Sequence, residues 1–282
     1  MSGTSIGEAV AAGAEDFAFF YDEDRRRPTP YQAGGEYFRR GKDRMDRTFA
    51  LIAPYVVDKD VLDIGASPFY LLYRAKAAGA RLCHGVYFAN DDHPLRPYRT
   101  IHSAAGPVEI SHADVENEGL PFAEDSLDVV TACEILEHFD AFPVKLSTEI
   151  RRVLKPGGHL CITVPNVCSI AHILKLIAQK NIYMRYRADA TGRHKHEYTL
   201  SQLRDYVDYL GMEVVKIGVM PSPTSNKYVL RPFYRLLARI PVLRLYSPVL
   251  YVLARQPGVK PTTDLTRPPS SIYEDISSTE ED

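Results

Sequence analysis

Apolar residues come along this chain in two kinds of pattern. Short, nearly continuous runs (residues 61–64, 81–88, 108–110, 126–133, 160–164 and 212–219) have the length and the β-branched content of buried strands. Between them, apolar residues recur at helical spacing. Phe38, Met45, Phe49 and Ile52 mark a helix over 36–55, and Leu146, Ile150 and Val153 mark another. Further helices fall at 70–80, 169–179 and 200–210, the last capped by Thr199 and stopped by Gly211. Residues 155–158, Lys-Pro-Gly-Gly, read as a tight turn. Strand and helix alternate from residue 60 to 165, which predicts a doubly wound α/β domain with a mostly parallel sheet.

The first run ends in Asp63-Ile64-Gly65-Ala66-Ser67-Pro68-Phe69. Gly65 permits a sharp turn, Ser67 is a good N-cap and Pro68 suits the first helical position, so this is a strand–loop–helix cradle. Such a cradle offers backbone N–H groups and a positive helix end at the carboxyl edge of the sheet, where open α/β folds bind ligands. Ser67 and Phe69 stand where a dinucleotide loop needs glycines, which disfavours NAD and FAD. S-adenosylmethionine (SAM) carries no phosphate and suits the stretch better. Its carboxylate would sit on the turn N–H groups of Gly65, Ala66 and Ser67, and Asp63 would hold its amino end. The second strand ends in Tyr87 where a ribose-gripping acid is expected, leaving Asp91 or Asp92 to serve from the loop. Asp114, after the third strand, either meets the adenine amino group or is a solvated loop acid. Glu134, Glu137 and His138 lie at the exit of the central strand, where an acceptor should stand, and Glu134 and His138 would share a face if the segment is helical.

Composition narrows the class. The 282 residues are 45% hydrophobic and 25% charged with a formal net charge of -2, which fits a globular enzyme-sized chain and gives no global pull toward nucleic acid. Glu8, Glu15 and Asp16 stand where a signal peptide needs lysines and an unbroken apolar run, so a cytoplasmic location is expected. Cys83, Cys133, Cys161 and Cys168 show no paired spacing and read as free thiols. Arg39, Arg40, Lys42 and Arg44 on the 36–55 helix read as a solvated face, with contact to an anionic substrate as the lesser reading.

Together, residues 63–69, 120–139 (beginning Leu-Pro-Phe) and 153–166 (Val-Leu-Lys-Pro-Gly-Gly, then Val-Pro-Asn) resemble the Rossmann-like SAM-dependent methyltransferases in order and spacing. The resemblance implies a seven-stranded Rossmann-like sheet with an N-terminal helical cap, SAM as cofactor, and Asp63, Gly65, Ala66, Ser67, Tyr87, Asp114 and Glu134 as its binding residues. Within that group the stretch Gly192-Arg193-His194-Lys195-His196-Glu197-Tyr198-Thr199 is similar to a subgroup encoded beside bacterial surface-polysaccharide genes. That likeness implies O-methylation of a sugar hydroxyl in a polysaccharide or lipid-linked precursor, with His138, His194 and Glu137 on the acceptor side. The set Glu134, Glu137, His138 and His194 also resembles the divalent-metal site of small-RNA 2′-O-methyltransferases, a less favoured reading. Transfer to a small molecule and a non-catalytic scaffold stay open as well.

The expected domain limits are a loose lead-in at 1–34, the methyltransferase domain at 35–220, a basic apolar helical appendage at 221–256 and a disordered acidic tail at 257–282. Between Glu213 and Asp264 there is no acidic residue, while Arg231, Arg235, Arg239 and Arg244 accompany many large apolar side chains. Pro232, Pro241 and Pro248 cut the segment into pieces too short to span a bilayer, so 229–255 is expected to lie on the cytoplasmic face of a membrane or, nearly as readily, to pack on the protein or on a second subunit.

Overall fold

The apolar runs pair into one sheet. The structure, a computed structural model, describes residues 21–22, 35–66, 68–87, 98–103, 105–183, 194–222, 236 and 239–274. In chain order its elements are β1 (Tyr21–Asp22), α1 (Gly35–Ile52), β2 (Asp60–Ile64), α2 (Tyr70–Ala77), β3 (Leu82–Tyr87), β4 (Tyr98–Ser103), β5 (Gly106–His112), β6 (Leu127–Cys133), α3 (Val144–Val153), β7 (Leu154–Pro165), α4 (Ile170–Ile177), α5 (Leu200–Tyr209), β8 (Glu213–Met220), α6 (Pro241–Arg244) and β9 (Val249–Arg255). The strand order is β1-β4-β5-β3-β2-β6-β7-β9-β8. Strands β5, β3, β2, β6 and β7 are mutually parallel, and β9 runs antiparallel between β7 and β8. The expected seven-stranded, mostly parallel sheet is therefore present, and β4 with β1 extends its β5 edge antiparallel.

Strand β9 corrects the reading of residues 221–256 as a helical appendage. Val249, Leu250, Val252, Leu253 and Ala254 are all buried, because β7 and β8 pair with both edges of the strand while α5 and α1 pack against it. An apolar run of seven residues looks the same in a sheet centre and in a surface anchor until its neighbours are known. Residues 223–235, which include Arg231, Pro232 and Arg235, lie outside the described residues. Residues 155–158 are also not a free turn. They belong to β7, where Gly157 N–H donates to the Gln256 carbonyl and Gln256 N–H to that of Gly158, and a register shift in the β6 pairing absorbs them.

The chain after β9 is held, through Glu274, as a strap over α3 and α5, contrary to the expected disorder. Arg151 donates to the carbonyls of Thr263 and Pro261, Tyr209 Oη donates to that of Leu265, and Gln202 Nε2 donates to that of Ser271 at 2.8 Å. Leu265 and Ile272 pack against the main core cluster.

Helix α1 lies against α2 and the sheet with Phe38, Met45, Phe49 and Ile52 buried, as its periodicity predicts. Asp46 fixes it there by accepting from Tyr70 Oη at 2.7 Å and from the buried Arg74 guanidinium. In β3, Gly85 leaves room for the α2 side of the cradle, since a Cβ there would stand 2.7 Å from Ala66 Cβ and 2.8 Å from Leu72 Cδ1.

Candidate active site

Strand order reverses between β2 and β6, so their carboxyl ends open the crevice in which such sheets bind ligands. On the β2 side, Gly65 has φ +74°, and a Cβ at this position would come within 2.3 Å of Ile135 Cγ2. Only glycine fits both the backbone and the space. Asp63 is buried beneath the turn, and burial pushes its carboxyl up to about 7, opposed by a hydrogen bond from Thr131 Oγ1 at 2.6 Å and by the charge of Arg44. A carboxyl raised this far by its site is readily ionised by an arriving cation, the chemistry that an ammonium group requires.

Two expectations for the cradle are corrected. The N–H groups of Gly65 and Ala66 both donate to the Val86 carbonyl, at 2.9 and 3.2 Å, and so are not open to a carboxylate. Phe69 takes the N-cap in the left-handed region at φ +67°, with α2 beginning at Tyr70, instead of Ser67 capping and Pro68 leading the helix. The cause is packing, because Phe69 is buried edge-on against Tyr87 with ring centroids 6.2 Å apart, a contact that offsets about 1 kcal/mol of backbone strain. Ser67, Asp91 and Asp92 lie outside the described residues. Tyr87 does end β3, where an acid was expected, and its carbonyl accepts Ala113 N–H at 3.2 Å, which sets Asp114 beside it. The Asp114 carboxylate accepts from the N–H groups of Glu116 and Asn117 and from Asn117 Nδ2, and the Asn117 side chain, foremost among these, holds it below the usual carboxylate range.

Arg44, expected on a solvated helix face, is instead a buried residue of the site. It is buried, with Nη1 3.4 Å from Glu134 Oε1. The signal was available: with Gly41, Met45, Thr48 and Phe49 it falls on the inward stripe of α1, where a charge has no reason to stand unless it meets a partner. Glu134 itself leaves β6 at φ +56°, and the next turn, Leu136–His138, is a 3-10 turn. Glu134 and His138 therefore do not share a helix face. Glu134 goes to Arg44, whereas His138 goes to the loop before α5.

That loop forms the acceptor side. The Glu137 carbonyl accepts from Lys195 N–H at 2.6 Å and His196 N–H at 3.3 Å, which brings His194 over the 3-10 turn. The rings of His138 and His194 meet edge-on with centroids 5.0 Å apart, and each Nε2 lies 3.9 Å from Glu137 Oε1. His194 Nδ1 bonds Glu197 Oε1 at 3.1 Å, and Glu197 Oε2 is 3.3 Å from His172 Nδ1 on α4. Glu197 and His172 were absent from the expected site, although the His194-x-x-Glu197 spacing allowed the first. Glu137 is fully buried, and its carboxylate oxygens have no hydrogen-bond donor among the described residues. Burial first, then the charge of Glu134, raises its pKa well above the usual carboxylate value. Glu137, His138 and His194 could hold a divalent cation, with donor atoms within 4.8 Å of one another. Two imidazoles and a carboxylate suit Zn²⁺ or Mn²⁺. Glu134, turned to Arg44, is not in this group.

Comparison with known proteins agrees with this fold. Residues 62–162 match the family described as methyltransferase domain. A ubiquinone biosynthesis O-methyltransferase of Rhizobium johnstonii is 26% identical over 186 residues, covering 64% of this chain and 73% of that protein. An uncharacterized methyltransferase of Mycolicibacterium vanbaalenii is 36% identical over 101 residues, covering 35% of this chain and 36% of that one. The crystal structure of an S-adenosylmethionine-dependent methyltransferase from Mesorhizobium loti has the same fold, with a TM-score of 0.50 at 16% identity over 74% of this chain and 96% of that chain.

Proposed function

Since this chain is a SAM-dependent methyltransferase, we propose that it methylates a hydroxyl oxygen of a lipid-linked acceptor, with a sugar hydroxyl as the favoured class. The observation that carries the reading is the edge-on pair of imidazoles, His138 on the turn after β6 and His194 on the loop bonded to that turn. Oxygen as the accepting atom is also supported by the name of the Rhizobium johnstonii relative, and the sugar by the likeness of residues 192–199 to the polysaccharide-associated subgroup.

SAM supplies an electrophilic methyl group on a sulfonium and leaves as S-adenosylhomocysteine. Asp63 holds its amino group. A hydroxyl is a poor nucleophile at neutral pH, so the acceptor must lose its proton as the carbon–oxygen bond forms. His194 Nε2 takes that proton, while its Nδ1 is held by Glu197, which fixes the ring for the task. His138, in edge contact with His194, orients the acceptor from the same side. Incubation with methyl-labelled SAM and fractionated bacterial lipid extract tests the reading. Label in an alkali-stable methyl ether supports it, and label confined to esters, amines or protein overturns it.

A second reading rests on the Glu137 carboxylate, buried without a hydrogen-bond donor beside two imidazoles. A cation held by Glu137, His138 and His194 would lower the pKa of a bound hydroxyl directly. Chelator treatment separates the two: loss of transfer with retained SAM binding favours the cation, and unchanged transfer removes it.

A further inference from the structure

Helix α4, Ile-Ala-His-Ile-Leu-Lys-Leu-Ile, is apolar on nearly every side, yet none of its residues is buried. A helix of this composition normally lies in a core. Here Leu174, Leu176 and Ile177, with Tyr183 just beyond, are between 54% and 73% exposed. A second exposed apolar segment stands beside it. Ile170 N–H donates to the Tyr246 carbonyl at 2.9 Å, and Asn166 Nδ2 donates to those of Leu245 and Ser247 at 3.0 and 2.8 Å. Val242 and Leu245 of that segment are 67% and 53% exposed, and α6 within it buries nothing.

From this we infer that α4 and the 239–246 segment form one surface that docks on an anionic lipid membrane, laying the active-site mouth against the headgroups. Charge selects this occupant. Residues 166–183 and 239–256 contain no aspartate or glutamate, whereas Lys175, Lys180, Arg239 and Arg244 are interspersed with the exposed apolar side chains. Apolar side chains that enter the headgroup boundary, ringed by cations that meet acidic lipid, are the two attractions of an interfacial helix. No helix among the described residues is long and apolar enough to cross a membrane. The surface also begins at the acceptor site, because His172 of α4 is the residue that meets Glu197. The docking surface is thus not the whole of 229–255, since β9 is buried, but includes α4, which the sequence reading left out. The inference rests on the lipid-linked acceptor proposed above for its purpose, and on the surface alone for its chemistry.

Flotation of the full chain with vesicles of phosphatidylcholine, alone or mixed with phosphatidylglycerol, tests it, with SAM titration on the same preparations. The protein should float with the anionic vesicles at low salt, and less so at high salt. The double variant Leu176→Glu, Ile177→Glu should lower the bound fraction at least about tenfold, and the gentler pair Lys175→Gln, Lys180→Gln should lower it for anionic vesicles alone. Both variants should bind SAM as the wild type does. A wild type that binds SAM but stays at the bottom of the gradient overturns the surface and leaves methyl transfer standing. A wild type dimer that Leu176→Glu, Ile177→Glu dissociates, with no flotation of either, also overturns it, because the surface then belongs to a second copy. Flotation without SAM binding would sink the functional reading and keep the surface.

Discussion

The main-chain carbonyl of Glu137 accepts the N–H of Lys195 at 2.6 Å, and this bond joins the strand-exit turn to the loop that carries His194. Backbone thus sets where His194 stands, and Glu197 sets how its ring is turned. Glu197→Gln should lower kcat by about tenfold or more, with the Kd for SAM unchanged. A purely structural role for Glu197 would instead lower kcat and SAM affinity together with the Tm, and steady-state kinetics beside a melting curve read the difference.

Asp63 predicts a pH dependence. Its ordinary value is 3.8 and its folded value about 7, so between these limits the folded protein holds a proton that the unfolded chain has released. Stability from this group is fully present below about 4, falls by about 1.4 kcal/mol per pH unit at most, and is lost once pH passes 7. A cationic amino group that binds the ionised form must expel that proton. SAM affinity should therefore rise as pH increases to about 7 and level off above it, with close to one proton released per SAM at pH 6. Calorimetry in buffers of different ionisation enthalpy measures this, and a pH-independent affinity with no proton release would remove Asp63 from the amino end.

Arg44 and Glu134 form a buried ion pair, each side chain no more than 10% exposed. Arg44→Met alone should cost about 3–5 kcal/mol, since it leaves Glu134 charged and unpaired. Adding Glu134→Leu should restore most of that loss in urea unfolding. Two single-variant costs that simply add would mean the pair does not interact.

What could be read from the chain follows from which forces are local. Strands β2, β3, β5 and β6, helices α1 and α3, and the Thr199 cap of α5, confirmed by reciprocal Thr199 and Gln202 bonds, all announce themselves by periodicity or capping chemistry within a few residues. Strand β9 does not, because its place in the sheet is set by β7 and β8 and by the helices over them, all distant in sequence. Phe69 in the left-handed region is likewise a consequence of Tyr87, and the strap beyond β9 is ordered by Arg151, Gln202 and Tyr209 on other elements. Of the acceptor side, His138, His194 and Glu137 were legible as residue types, but the Glu134 turn toward Arg44 depends on a backbone angle that no spacing rule supplies.

The buried strand makes its own prediction. Leu250→Ala in β9 should cost about 2–5 kcal/mol, as large-to-small changes in cores do, whereas Val242→Ala on the exposed segment should cost less than about 0.5 kcal/mol. Denaturant titration compares them, and a Leu250→Ala as mild as Val242→Ala would return residues 249–255 to the surface.

The most direct test of the account is single-turnover transfer from methyl-labelled SAM to the lipid-extract acceptor, with wild type and His194→Ala at equal SAM occupancy. His194→Ala should transfer methyl about 10²–10⁴ times more slowly, the usual contribution of a positioned general base, while binding SAM with unchanged Kd. Equal rates for the two proteins would contradict the assignment of His194 and with it the placing of the acceptor beside the two imidazoles.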